Sequence, residues 1–191
     1  MLGDLIISRV RVKVLELFFT NTDQMFHVRE IVRRTDEEIN AVRRELFHLE
    51  KAGVLSKEPR ANRLFYLLRR DYPLYYELME LIAKTSGIGN ELLKKRAKLG
   101  KVKFIMLSGR YVRGKVHRPT DVDILIVGTV VLPEISSLIK TEETRREKEI
   151  SYTVMTEEEF QFRKKRNDPF VKDILWGTRV MIIGDEEELI S

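Results

Sequence analysis

Asp121 and Asp123 stand two positions apart at the head of an apolar run, Ile124-Leu125-Ile126-Val127. Side chains alternate faces along a strand, so this spacing predicts both carboxylates on one side. A second apolar run ends just upstream in a Gly-containing turn, Leu107-Ser108-Gly109-Arg110-Tyr111-Val112-Arg113-Gly114. Paired acids beside a turn whose amides can hold phosphate can seat a divalent metal and a nucleoside triphosphate. The segment leading into the acids is strongly basic. Lys94 to Arg118 holds ten Lys and Arg and no Asp or Glu, a field that would draw anions toward the pair. The competing structural readings have Lys94 to Lys98 as a solvated helix end, Asp121 as a loop cap and Asp123 as a buried partner of Arg113.

The elements that must position these residues fall into two groups. In the first, the apolar positions Leu5, Ile6, Val10, Val14, Leu15, Leu17 and Phe18 predict a helix over 5–19. Asn21-Thr22-Asp23 breaks it, and Phe26 to Arg34 is expected as a second helix. Asp36 is expected to cap a third helix running to Lys51, with Gly53 as its stop. Its inner stripe is Ile39, Val42, Leu46 and Leu49. Val54 to Leu68 predicts a hairpin turning through Pro59 to Arg63. A helix over 74–84, with Leu74, Leu78, Leu81 and Ile82 inward, leads to a break at Ser86-Gly87-Ile88-Gly89 and a helix over 91–99. Beyond it the pattern predicts strands at 103–108, 122–127, 149–154 and 179–183, and helices at 156–165 and 169–176. Trp176 and Phe170 are expected in the core.

The outer face of the third helix carries Asn40, Arg43, Arg44, Phe47 and Lys51. Asn can bridge adenine and Arg guanine through paired hydrogen bonds, and Arg also holds phosphate. Lys57, Arg60, Asn62 and Arg63 on the hairpin would reach the backbone or the minor groove. Glu37, Glu38 and Glu45 argue the other way, toward an ordinary solvated face or a protein-binding module. This order of elements, with the phrase Phe47-His48-Leu49-Glu50-Lys51-Ala52-Gly53-Val54-Leu55, resembles the winged helix-turn-helix regulators of bacteria and archaea. The resemblance covers about residues 5–70. It implies binding to double-stranded DNA through Asn40, Arg43, Arg44, Lys57, Arg60 and Arg63, and a homodimer reaching two half-sites.

Residues 104–127 resemble the minimal nucleotidyltransferases of the polymerase-beta-like superfamily. Gly109 takes the Gly place of Gly-Ser, Arg113-Gly114 the Arg-Gly place, and Thr120-Asp121-Val122-Asp123 the Ser-Asp-x-Asp place. Tyr152 to Phe160 extends the likeness to proteins that fuse a winged helix to this domain. The resemblance implies Mg2+ held by Asp121 and Asp123, and a nucleoside triphosphate bound by Ser108, Gly109, Arg110 and Arg113. Two residues depart from the pattern. Arg110 replaces the small hydroxyl, and the third-carboxylate place falls on Ser151, leaving Glu149 as the nearby substitute catalytic acid. The fold expectation is therefore α+β. It comprises a winged helix-turn-helix domain at 1–71, connecting helices at 72–99 and a nucleotidyltransferase-like α/β domain with a mixed sheet at 100–191. The functional expectation is a transcriptional regulator with a degenerate or nucleotide-sensing second domain. The alternative is an active magnesium-dependent transferase, antitoxin-like or protein-modifying.

Composition bounds these readings. The chain has 191 residues, 43% of them apolar, enough for two small cores. It has no cysteine, which removes disulfides, thiolate zinc sites and Cys nucleophiles. Its three histidines lack zinc-ligand spacing. The start lacks a signal-peptide pattern and no window is long enough to span a membrane, so a cytoplasmic protein is expected. Charged residues at 34% and two glutamines fit a thermophile.

Overall fold

The computed structural model describes residues 6–115 and 121–191. Leu5, His117, Arg118 and Thr120, used in the sequence reading, lie outside the described residues. The chain divides into two compact units, Met1–Thr85 and Ser86–Ser191.

The first unit runs α1 (Arg9–Phe19), β1 (Met25–His27), α2 (Val28–Thr35), α3 (Ile39–Lys51), β2 (Leu55–Arg60), β3 (Arg63–Leu68) and α4 (Tyr75–Thr85). Its antiparallel sheet has the order β1-β3-β2. The core gathers Val14, Phe18, Phe26, Ile31, Val42 and Leu46, all almost completely buried. Phe18 and Phe26 meet edge to face at 5.5 Å.

Three local expectations are corrected here. Phe26 and His27 are strand residues, because their backbone pairs with Tyr66 and Phe65 of β3; a three-residue strand is too short to leave a periodic signal. Asp36 is the left-handed end of α2 (φ 52°), a conformation Asp tolerates, and it does not cap α3. Glu38 caps α3 instead, accepting from the Asn40 and Ala41 amides at 2.8 and 2.9 Å. The inward face of α4 is Tyr75, Met79 and Ile82, with Leu74 51% exposed. The turn of that stripe follows Tyr75, whose ring stands 5.7 Å from Phe19.

The hairpin is tighter than expected. Pro59 and Arg60 belong to β2, paired with Leu64 and Arg63, so the loop is Ala61-Asn62. Ala61 sits at φ 48°, in the left-handed region, at the first loop position where Gly is preferred. The left-handed penalty for a side chain is about 1–2 kcal/mol, and glycine costs about 0.4–1 kcal/mol through unfolded-state entropy. Ala61→Gly is therefore expected to stabilise the unit by about 0.5–1 kcal/mol, seen as a higher midpoint in urea unfolding.

The second unit runs α5 (Gly87–Lys94), a short 3₁₀ turn (Arg96–Lys98), β4 (Gly100–Ser108), α6 (Gly109–Val112), β5 (Ile124–Val130), α7 (Leu132–Arg146), β6 (Tyr152–Met155), α8 (Glu157–Lys165), α9 (Pro169–Trp176), β7 (Arg179–Ile183) and α10 (Glu186–Ile190). The sheet is mixed, in the order β6-β5-β4-β7. β4 lies antiparallel to β5 and β7, while β5 and β6 are parallel, so α7 is the crossover between them. Phe104 to Leu107 and Ile124 to Val127 are buried throughout, which explains why both read as unbroken apolar runs. One face packs on Met155, Phe160, Val171 and Leu189.

The expected break at Ser86-Gly87-Ile88-Gly89 is the start of α5, with Ile88 and Gly89 buried. Helix α5 stops at Lys94, short of the expected Leu99. Helix α7 was not anticipated at all. Among the described residues no helix is long and apolar enough to cross a membrane.

Candidate functional site

The turn after β4 is fixed by a glycine that touches its neighbour's backbone. Gly109 donates its amide to the Thr178 carbonyl at 2.6 Å. A Cβ placed on Gly109 would come within 2.1 Å of Thr178 Oγ1 and 2.9 Å of its carbonyl oxygen. Only glycine permits this approach of α6 to the entry of β7. Arg113 reinforces it, donating to Thr178 Oγ1 at 3.0 Å. Ser108 caps α6 by accepting the Tyr111 amide at 3.2 Å. The Gly109 amide, expected to help cradle phosphate, is thus engaged within the fold, as is the Tyr111 amide. Gly109→Ala is expected to destabilise the unit by about 1–3 kcal/mol through overpacking, measurable as a lowered thermal midpoint.

Beside this turn lies a cavity of about 320 Å³. Its polar lining is Ser108, Arg110, Asp121, Asp173 and Thr178; its apolar lining is Met106, Val122, Phe170 and Ile174. Phe170, Asp173, Ile174 and Thr178 were not singled out as site residues from the sequence. Phe170 and Trp176 are corrected from core to surface: Trp176 is 80% exposed, and Phe170 lines the cavity.

The acids are arranged differently from the expectation. Strand β5 begins only at Ile124, so Asp121 and Asp123 sit in an irregular lead-in where strand alternation does not apply. Asp121 lines the cavity and accepts from Arg110 Nε at 2.8 Å. Asp123 is 5% exposed and is not among the cavity's lining residues. Its Oδ2 accepts the Ser151 amide at 3.1 Å, and its backbone bonds both Ser108 and Ser151. Glu149 is exposed on irregular chain ahead of β6, with buried Ile150 between it and Ser151.

Both acids are engaged within the fold. The Asp121 carboxylate already holds a guanidinium, and Asp123 is tied to a backbone amide. Among the described residues no three of Asp, Glu, His or Cys gather into a metal-binding group. The basic block is also partly neutralised: Lys103 pairs with Glu188 at 2.6 Å and Glu157 at 3.3 Å, and Lys94 with Glu91 at 3.4 Å.

Behind the turn, Tyr111 is buried and its hydroxyl lies 3.5 Å from Glu142 Oε1. Burial pushes the phenol far above its ordinary range. Glu142 accepts from Arg145 Nε at 2.8 Å and from Arg146 Nε at 2.7 Å, and Arg146 stacks over the Tyr111 ring at 4.3 Å. Burial alone would raise the Glu142 carboxyl, but the two guanidinium groups overcome it and hold the group below the ordinary glutamate range.

In the first unit, Asn40, Arg43, Arg44, Phe47 and Lys51 are all exposed, opposite buried Val42, Leu46 and Leu49. Two of the three nearby acids, Glu37 and Glu45, are engaged away from this face, while Glu38 stands beside Asn40 and Arg44. Glu45 holds Arg11 at 2.7 Å, Glu37 holds Lys13 at 2.7 Å, and Glu38 caps α3. The two α3 amides keep the Glu38 carboxyl below its ordinary range. On the hairpin, Lys57 pairs with Glu50 at 3.0 Å and Arg60 with Glu58 at 2.9 Å, while Arg63 Nη1 lies 3.5 Å from His27 Nε2.

Residues 90–177 match the family model of a nucleotidyltransferase domain. The match runs from within α5 to the end of α9 and takes in all of the cavity lining except Thr178. No curated protein and no solved structure matches the chain.

Proposed function

We propose that this chain is a DNA-binding regulator of the winged-helix type whose nucleotidyltransferase-like domain senses a nucleotide. The outward face of α3 carries the reading. It presents Asn40, Arg43 and Arg44 together, while Glu37 and Glu45 are occupied elsewhere. That leaves a face whose side chains suit base edges and phosphates. The order of three helices and a hairpin, with β1 closing the sheet, supports the same reading. In the second unit, Arg110 on Asp121 and Ser151 at the third-carboxylate place favour binding over transfer. Regulators of this kind reach two half-sites as two copies, so a homodimer is expected in a sedimentation run.

The test is anisotropy of a labelled duplex titrated between about 50 and 200 mM salt. Affinity that falls linearly on logarithmic axes supports the reading. No binding at the lowest salt rejects it.

An active transferase is the second reading, favoured by the family match over 90–177. Magnesium-dependent pyrophosphate release from a labelled triphosphate, abolished by Asp121→Asn, would establish it in place of sensing.

A further inference from the structure

Where α5 gives way to β4, cations of the basic block stand together with little acid beside them. Lys94, Lys95, Arg96, Lys98 and Lys101 are all exposed. Lys94 meets Glu91 at 3.4 Å, while the other four form no ion pair among the described residues. Glu134, three residues beyond the Val131 amide that bonds Leu99, pairs with none of them. A solvated helix end explains only part of this. Lys94 and Lys95 close α5, where cations complement the macrodipole. Arg96 and Lys98 lie on the 3₁₀ turn beyond it, and Lys101 is on β4. Like charges this close repel one another.

The backbone that carries these cations is fixed. Leu92 and Leu99 bracket the turn at 1% and 0% exposure. The Leu99 carbonyl accepts the Val131 amide at 2.9 Å, and the Lys95 carbonyl accepts the Lys98 amide at 2.8 Å. Gly100 (φ 95°) passes so close to β5 that a Cβ there would lie 2.5 Å from the Thr129 carbonyl oxygen. Lys94, Arg96 and Lys101 line one hollow of about 500 Å³, over Leu93, Ala97 and Val102. Cations spread along a rigid turn suit a partner with repeated negative charge, such as a nucleic-acid backbone. Residues 94–101 include no Asn, Gln, Asp or Glu to read base edges beside them. Nor do Leu93, Ala97 and Val102 offer a large exposed apolar side chain to a lipid surface.

We propose that Lys95, Arg96, Lys98 and Lys101 form a second DNA contact, holding backbone phosphates of a duplex without reading its bases. The contact belongs to the Ser86–Ser191 unit and goes beyond the winged-helix reading, which uses α3 and the hairpin. The choice of DNA as the polyanion rests on that reading.

Anisotropy of a labelled mixed-sequence duplex, titrated with the full chain across a range of salt, tests it. One variant combines Lys95→Ala, Arg96→Ala, Lys98→Ala and Lys101→Ala. A control removes the same charge elsewhere in the unit, through Lys140→Ala, Lys148→Ala, Lys165→Ala and Lys172→Ala. The urea midpoint of each should match wild type. The first variant should lower the logarithmic salt slope by at least about two, and weaken binding about a hundredfold at about 100 mM salt. The control should move the slope less than half as far. A smaller fall in the first variant, or a larger one in the control, overturns the inference and leaves the α3 reading standing. If Arg43→Ala with Arg44→Ala changes nothing while the first variant falls as expected, the winged-helix reading fails and this contact stands. Cosedimentation with phosphatidylserine vesicles that the first variant loses, while it keeps the duplex, assigns the surface to lipid and overturns the inference. Wild type that binds no duplex at the lowest salt overturns both.

Discussion

Glu142→Ala is expected to destabilise the Ser86–Ser191 unit by about 2–4 kcal/mol, toward the range for breaking a buried ion pair. The side chain is 6% exposed and accepts from both Arg145 and Arg146. Arg145 is 58% exposed and can turn to water once its partner is gone. Arg146 is mostly buried over the Tyr111 ring, so its charge and the Tyr111 hydroxyl carry the cost. Glu142→Gln keeps the acceptor oxygen and should cost less, about 1–2 kcal/mol. Arg145→Ala should cost under about 1 kcal/mol because the lost partner is solvated. Urea unfolding near neutral pH checks all three.

The same group gives a pH dependence of known sign. The native Glu142 carboxyl titrates below its unfolded value of 4.5. The folded state therefore binds its proton less readily than the unfolded state. Its stabilisation is complete above about pH 4.5 and is lost as pH falls through the lower native value. The gap between wild type and Glu142→Gln should shrink on acidification through that window. A gap that stays constant would mean that the carboxylate charge contributes nothing.

The second large effect concerns DNA. The double change Arg43→Ala and Arg44→Ala is expected to weaken duplex binding about a hundredfold at moderate salt, taking about 1–3 kcal/mol for each lost arginine contact. The salt dependence assigns the contacts. If both arginines hold phosphates, the logarithmic slope should fall by about two and all sequences should weaken alike. If either reads a base, discrimination between sequences should collapse while the slope changes less. Lys57→Ala should cost far less, about threefold, because Lys57 is already paired with Glu50. Unchanged affinity in the double variant would remove α3 as the recognition element.

The parts of the fold that were legible are those where burial is continuous or strictly periodic. Phe104 to Leu107 and Ile124 to Val127 are central strands buried on both faces, and apolar runs mark such strands plainly. Helix α3 showed its stripe because Val42, Leu46 and Leu49 all face inward. Helix α7 was hidden by its chemistry. Its buried line runs Ile135, Leu138, Ile139 and then Glu142, so a charge stands where the hydrophobic period needs an apolar residue. The first turn of helix α5 was hidden by two glycines that ordinarily mark breaks; Gly89 is buried and Gly87 faces the Arg145 and Glu142 head groups. At the site, the turn and both aspartates were visible, but their orientation was not. Asp121 answers to Arg110 on a separate helix, and Asp123 to the backbone of Ser151. Neither partnership has a local sequence signal.

The place of β7 in the sheet bears on how the chain is made. It supplies the second neighbour of β4, yet it is translated after every other strand. A nascent chain that has reached only α9 therefore carries Phe104 to Leu107 as a bare edge, an apolar template open to stray pairing. Until Thr178 arrives to meet Gly109, that edge of the half-built sheet stays open, and ribosome stalling just short of it is expected to yield aggregates.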